Sequence, residues 1–242
     1  MTKPCTLVIL AKQPLPGVVK TRLIPTLGAA GAARLAERML RHALAEALRA
    51  AEVVPSLGVE LCVAPEAGDP YWAALAGNRP LTISQQVAGD IGERMLAAVT
   101  RITARGEYAI LMGADCPGLT ASRIAEAIAS LRAPGVDLVI TPARDGGYVL
   151  IGMGETHGTL FRDMPAHPGS WRLPLAGRGR RALSASVRTH STISTRPRIL
   201  RCCRRSSDWV EFRCRRGGKQ PAAKSPSRQL TPLPPACMIR AL

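Results

Sequence analysis

The sequence predicts an α/β protein in which a mainly parallel sheet carries helices on both faces, confined to residues 1–165 and followed by a disordered basic tail over 166–242. Three observations lead there. Short apolar runs alternate with longer segments of helical periodicity as far as Phe161, the pattern of a sheet whose strands are joined by crossover helices. Charge is divided unevenly: residues 1–164 carry 16 Lys+Arg against 15 Asp+Glu, whereas residues 165–242 carry 17 against 2. The apolar share is 46% but aromatic residues make up only 3%, so the core must be built from Ala, Leu, Val and Ile.

Taken in order, Leu7–Ala11 is a short apolar run suited to a buried first strand. Ala29–Glu52 is rich in Ala and Leu, with Leu35, Met39 and Leu40 near one face and charged residues available to solvent, which predicts a long helix. Gly58–Val63 reads as the second strand. Pro70–Ala76 follows as a short helix whose Tyr71 and Trp72 cover the sheet, and Leu81–Ser84 as a brief strand. Ile91–Ala104 is the next helix, with Met95, Val99 and Ile102 at helical spacing and Asp90 as its N-cap. Tyr108–Met112 is a buried strand, Thr120–Leu131 a helix capped by Thr120, and Val136–Ile140 and Tyr148–Ile151 the last two strands. Beyond Pro165 the periodicity stops in a stretch rich in Arg, Ser and Pro, a disordered composition.

The net charge of +16 resembles that of a nucleic-acid or membrane binder. Because the excess lies in the tail, which has no interleaved aromatics and no nucleic-acid module, nucleic acid is not the expected partner. Cys5, Cys62 and Cys116 sit beside strands and read as small buried apolar residues of a reducing compartment. The tail cysteines show no zinc spacing. No apolar run approaches the ~18 residues needed to span a bilayer. The five-residue run after the start is too short for a signal peptide, so a cytoplasmic location is expected.

Four segments carry chemistry. The loop after the first strand, Lys12-Gln13-Pro14-Leu15-Pro16-Gly17-Val18-Val19-Lys20-Thr21-Arg22, lies where open α/β sheets bind ligands. Its prolines stiffen it, Gly17 permits close backbone approach, and Lys12, Lys20 and Arg22 suit a diphosphate; a solvated basic loop is the alternative. In Gln85–Met95, glycines flank Asp90 at a helix start, where amide groups could face an anion. Arg94 there could contact substrate or pair with Asp90. Asp115, in Gly113-Ala114-Asp115-Cys116-Pro117-Gly118, follows the central apolar strand and could hold Mg²⁺ or Mn²⁺ against phosphate oxygens, or merely close a turn. Asp145-Gly146-Gly147-Tyr148, between two apolar runs, is a hairpin signal that also places a carboxylate and a phenol together.

Taken together, AKQPLPGVVKTRL, GDIGERM, GADCPGL and PARDGGYVLIG resemble one bacterial family across about residues 5–165. It comprises the glycosyltransferase-A-like (GT-A) transferases labelled radical-SAM/selenodomain-associated transferase 1 or a domain of unknown function. That family is similar in fold to the nucleotidyltransferases that build molybdopterin guanine dinucleotide and phospholactate-guanosine intermediates. The resemblance implies a nucleotide-diphospho-sugar transferase fold, with nucleotide held by the loop Ala11–Arg22; Asp90 and Arg94, at the helix start read above, are the further nucleotide-binding candidates. It also implies that Asp115 is the metal-binding aspartate and that Asp145, Gly146, Gly147 and Tyr148 line the acceptor side.

Family members continue with a Trp-Ser-Thr-Pro element and end with Asp-Ile-Asp-Thr-Pro-Glu-Asp-Leu; neither string is present here. With permitted third bases, one shift of reading frame can turn the codons of Ser191–Ile199 into Asp-Asp-Ile-Asp-Thr-Pro-Glu-Asp. The same shift lets the stretch around Ala166–Trp171 become Ser-Thr-Pro-Gly-Val-Leu. The tail is therefore expected to be out-of-frame translation, which would remove the late acidic element that supplies a second metal ligand in relatives. The domain would then be incomplete, and the chain weakly active or inactive.

The function expected is a Mg²⁺- or Mn²⁺-dependent transferase using a nucleotide-activated donor and a small-molecule or glycan acceptor, with Asp145 as candidate base. The alternatives are nucleotidyl transfer with release of pyrophosphate, and a basic nucleic-acid-binding protein with a degenerate enzyme domain.

Overall fold

The computed structural model describes residues 2–143 and 148–162, together with the backbone of two strands at 183–188 and 209–214. The chain runs β1 (Cys5–Lys12), α1 (Ile24–Val53), β2 (Leu57–Ala64), α2 (Pro70–Ala76), β3 (Thr82–Gln85) and α3 (Ile91–Thr103). It continues through β4 (Tyr108–Gly113), α4 (Ala121–Arg132), β5 (Leu138–Pro142) and β6 (Tyr148–Met153), then β7 (Leu183–Arg188) and β8 (Trp209–Cys214). All strands join one sheet in the order β3-β2-β1-β4-β6-β5-β8-β7. β1 to β4 form a parallel block, while β6 runs antiparallel between β4 and β5. The Asp-Gly-Gly segment therefore connects antiparallel neighbours, as its hairpin signal predicts.

Alternation along each strand divides the core into two layers. Leu7 and Ile9 of β1 and Ile110 and Met112 of β4 face α1, α2 and α4, whose Leu44, Trp72 and Ile128 are buried against them. Val8, Ala109 and Leu111 face the other way, toward Met95, Val99 and Ile102 of α3. Helices thus cover both faces, as the sequence predicts. Each such Leu, Ile or Val contributes roughly 1.5–3 kcal/mol on burial. Among the described residues no helix is long and apolar enough to cross a membrane.

The differences from expectation have local causes. α1 begins at Ile24 rather than Ala29 because a proline-started turn is joined to it across Gly28, whose φ of 69° and ψ of 163° are not helical. β5 begins two residues late because a turn closed by Val136 N–H on the Ala133 carbonyl (3.2 Å) uses up the intervening residues. It ends in Pro142, where the register with β6 shifts, a position in which proline is tolerated in a sheet. Asp90 caps α3 through a full capping box: its carboxylate accepts from Glu93 N–H at 2.9 Å, and Glu93 accepts from Asp90 N–H at 2.7 Å. Thr120 occupies the N-cap position of α4, but its side chain makes no capping bond. Buried Glu46, on α1, accepts from Ala121 N–H instead, at 2.8 Å, so a carboxylate from another helix meets the positive end of α4.

In the tail, β7 and β8 extend the sheet beyond β5, where the sequence reading expects no strand. Leu183, Ala185 and Val187 alternate with Ser184, Ser186 and Arg188, a period-two signal that composition alone does not register. The junction at Ala166, the stretch 191–199 and the remainder of the tail lie outside the described residues.

Candidate active site

The parallel register builds the site. Leu10 of β1 pairs with Gly113 of β4 at the last shared position, so Lys12 and Asp115 both stand two residues beyond it, at the carboxyl edge of the sheet. A cavity of about 490 Å³ opens there, lined by Lys12, Val18 and Lys20 from the first loop, Asp115 from the second, Met95 from α3 and Tyr148 from β6.

The first loop leaves β1 with Gln13 N–H on the Ala64 carbonyl (2.8 Å) and turns where Val18 N–H meets the Leu15 carbonyl (3.2 Å), with Gly17 at φ 81°. Lys20 is itself left-handed, φ 49° and ψ 39°, an uncommon conformation for a residue with a Cβ. Its carbonyl accepts Leu23 N–H (2.8 Å) to start the short turn Thr21–Leu23. The Lys20 side chain crosses to Asp115, Nζ to Oδ2 at 2.9 Å. On the other side, a Cβ at Gly113 would stand 3.0 Å from Asp115 Oδ1, so glycine leaves room for the carboxylate. The following turn is fixed by His42 of α1, whose Nε2 lies 3.0 Å from the Pro117 carbonyl. Burial pushes the neighbouring Cys116 thiol up to about 12, which keeps it protonated and unreactive.

Lys12, Lys20, Asp115 and Tyr148 therefore meet around one cavity. Ala11 is buried beneath it and holds the loop through its carbonyl, which accepts from Gln86 Nε2 at 3.0 Å. Arg22 is exposed in the short turn and does not line the cavity. Asp90 is engaged in its capping box. Arg94 does not pair with Asp90; its Nε donates to the Gly89 carbonyl (3.0 Å) and its Nη1 to Gln86 Oε1 (3.1 Å). The Tyr148 hydroxyl donates to Met95 Sδ at 3.2 Å, and burial pushes the phenol above its ordinary range. Asp145, Gly146 and Gly147 lie outside the described residues.

Gln86 was not singled out by the sequence. Its buried amide bonds the carbonyls of Ala11 and Cys62, 3.0 and 2.8 Å away, and receives Arg94. The β1 and β3 loops are thereby tied into one rim. A glutamine in a turn-like stretch gives no sign of this from sequence, because the bond depends on long-range strand order.

Asp115 is 53% exposed and already accepts one cation, the Lys20 ammonium. No group of three His, Cys, Asp or Glu side chains that could hold a metal ion exists among the described residues. A lone carboxylate beside cations suits Mg²⁺ or Mn²⁺ that draws further oxygens from phosphates and water; it does not suit a closed zinc site.

Comparison with known proteins agrees with this architecture. The crystal structure of a candidate nucleotide-diphospho-sugar transferase from Desulfovibrio desulfuricans G20 is 28% identical, with a TM-score of 0.56 over 66% of this chain and 68% of that one. A 4-diphosphocytidyl-2C-methyl-D-erythritol synthase from Anaerococcus prevotii DSM 20548 is 11% identical, with a TM-score of 0.44 over 66% and 74% of the two chains. A cytidylyltransferase from Leptospira borgpetersenii serovar Hardjo-bovis (strain JB197) is 14% identical, with a TM-score of 0.38 over 66% and 63%. No protein of curated function matches the sequence. The profile of one family matches residues 47–167, and with the fold it establishes that the chain belongs to DUF2064, the uncharacterized proteins conserved in bacteria.

Proposed function

We propose that the protein is a transferase acting on a nucleotide-activated donor, and that the reaction is glycosyl transfer. The observation that carries this reading is the meeting of Lys20 and Asp115 at 2.9 Å, at the carboxyl edge of the parallel strands and beside Lys12. Two ammonium groups and a carboxylate are the elements needed to hold a diphosphate together with a divalent cation. The neighbour from Desulfovibrio, assigned to nucleotide-diphospho-sugar transfer, supports the same class.

In this mechanism Lys12 and Lys20 bind the donor diphosphate and orient its sugar carbon toward the cavity. Asp115 holds Mg²⁺ or Mn²⁺, which when bound supplies charge stabilisation to the departing nucleoside diphosphate. Lys20, released from Asp115, turns to the phosphates. The acceptor hydroxyl attacks the sugar carbon, the bond to the diphosphate oxygen breaks with its electron pair, and Asp145 takes the hydroxyl proton. Asp90, Gln86 and Arg94 act at a distance by fixing the rim.

The test is calorimetric titration with UDP, GDP, ADP and CDP, with and without Mn²⁺. At least one is expected to bind tighter with the metal in the wild type and to lose that gain in Asp115→Ala. Binding indifferent to both metal and Asp115 would overturn the assignment. In turnover with the matching sugar donor, nucleoside diphosphate is the expected product; pyrophosphate released from a triphosphate would make the reaction nucleotidyl transfer instead.

A further inference from the structure

One helix grips the connection between β4 and α4, which carries Asp115, at two points. His42 and Glu46 stand four residues apart on α1, so their side chains share a face of the helix. Nε2 of His42 lies 3.0 Å from the Pro117 carbonyl; a carbonyl only accepts, so the ring nitrogen donates. One carboxylate oxygen of Glu46 accepts from Ala121 N–H at 2.8 Å, and the other accepts from Arg49 Nη1 at 2.5 Å. Segment 117–121, between Asp115 and the body of α4, is thereby bonded to α1 at both ends.

The base of this clamp is fixed in the core. Leu40, Ala43, Leu44, Ala47 and Ala50 of α1 are each 2% exposed or less. Gly28, whose backbone is not helical, separates this part of α1 from the Lys20 loop. The turn is also anchored by buried Cys116 and Leu119, with Leu119 N–H on the Cys116 carbonyl at 3.2 Å. Burial is non-directional: it sets how deep the turn lies, not which way its peptide planes face. Hydrogen bonds set direction, and His42 and Glu46 supply them from a separate element. Asp115 itself is 53% exposed, so packing fixes its carboxylate less than the backbone that carries it.

We propose that His42 and Glu46 are positioning residues for Asp115: by holding the β4–α4 turn to α1, they set the direction in which its carboxylate meets a divalent cation. This rests on the donor-and-metal reading above. Neither side chain lines the cavity, so both act through the turn. A metal site needs its ligands held within narrow geometric limits. A turn free to rock about Cys116 and Leu119 presents the carboxylate in fewer productive orientations and binds the ion more weakly.

The experiment uses the full chain. It reads by calorimetry the gain in affinity that Mn²⁺ confers on whichever of UDP, GDP, ADP and CDP binds tightest. His42→Phe keeps a ring and removes the donor, whereas His42→Gln returns an amide N–H to the same carbonyl. The Mn²⁺ gain is expected to fall about three- to tenfold in His42→Phe, the scale of one hydrogen bond, and to recover to within about twofold in His42→Gln. Glu46→Gln keeps an acceptor for Ala121 N–H and should retain the gain; Glu46→Met should reduce it. Metal-free nucleotide affinity should not change in any of the four. In an Asp115→Ala background His42→Phe should have no further effect, because the two residues act as a unit. A second measurement reads the bond itself and does not require His42→Phe to fold. In wild type labelled with ¹⁵N-histidine, with the His42 signal assigned by its loss in His42→Gln, Nε2 should carry a proton.

A full Mn²⁺ gain in His42→Phe or Glu46→Met, whatever the melting temperature, makes that residue merely structural and overturns this proposal. When the gain is also lost in Asp115→Ala, the metal reading survives and only the clamp fails. Equal losses with and without Mn²⁺ would place the effect on the nucleotide loop and overturn it too. An unprotonated Nε2 would leave the Pro117 carbonyl without its donor, with the same consequence. Absence of any Mn²⁺ gain in the wild type overturns the metal reading and this proposal with it.

Discussion

In the proposed mechanism Lys20 has two tasks that pull in opposite directions, and a single substitution separates them. Its ammonium competes with any metal for Asp115 and, once released, is available to phosphate. Lys20→Met removes both functions. The pair is partly exposed, 27% and 53%, so losing the competitor is worth no more than about 1 kcal/mol, and Mn²⁺ alone should bind up to roughly fivefold tighter. The bond from an ammonium to a phosphate is worth about 1.5–3 kcal/mol, so the Mn²⁺–nucleoside diphosphate complex should bind roughly 10- to 100-fold more weakly. Manganese EPR reads the first effect and calorimetry the second. A residue that served only to hold the loop would move both in the same direction, and that outcome would contradict the assignment. The sequence showed Lys20 and Asp115 as separate motifs. Their contact follows from the parallel register of β1 and β4, which no local pattern encodes.

Elements were legible where one segment's pattern decides its state, and were lost where a partner decides it. The apolar runs gave β1, β2 and β4 to within two residues at each end, and Asp90 marked the start of α3 as its N-cap, to which the structure adds Glu93 as the second half of a capping box. The cap of α4 was read as Thr120 because sequence sees only the preceding residue; Glu46 supplies it from a helix far away in the chain. The antiparallel insertion of β6 was legible only as a turn signal, since strand order is a property of the whole sheet. A comparable long-range contact fixes the start of β4. Glu107, just ahead of that strand, accepts from Thr6 Oγ1 of β1 at 2.5 Å and from Arg105 Nε at 2.8 Å. Burial works against its ionisation, yet the Thr6 hydroxyl and the Arg105 guanidinium hold its carboxyl below the ordinary range. A depressed carboxylate stabilises the fold fully above its unfolded pKa of about 4.3, and the gain disappears as pH falls through the lower folded value. In calorimetric melts Glu107→Gln should therefore lie below wild type at pH 6–7. The gap should close as pH is lowered toward 3; a gap constant with pH would mean that the charge contributes nothing.

At the scale of the molecule, a domain of nearly balanced charge is joined to a segment with 17 Lys+Arg and 2 Asp+Glu, and the proposed metal site shows one carboxylate, Asp115, among the described residues. The two facts meet in the frame hypothesis. Mg²⁺ and Mn²⁺ sites of this kind usually take one or two carboxylates beside phosphate and water. The second is expected from the acidic element that a shifted frame writes in place of Ser191–Ile199. We therefore predict that a chain whose frame is restored after Pro165 binds Mn²⁺ more tightly than the chain as written, by roughly tenfold or more, the scale of one additional charged ligand contact. Asp115→Ala should abolish the gain, because the added carboxylate needs its partner to hold the ion. The same change removes the cationic excess, so retention on heparin at low salt, expected for the present chain from its polyanion-binding charge, should vanish together with it. Manganese EPR on the two chains, run beside sequencing of the locus, decides the matter. Equal Mn²⁺ affinity in the two chains would show that the tail is not a displaced acidic element, and an uninterrupted frame would show that the basic segment is the protein's own.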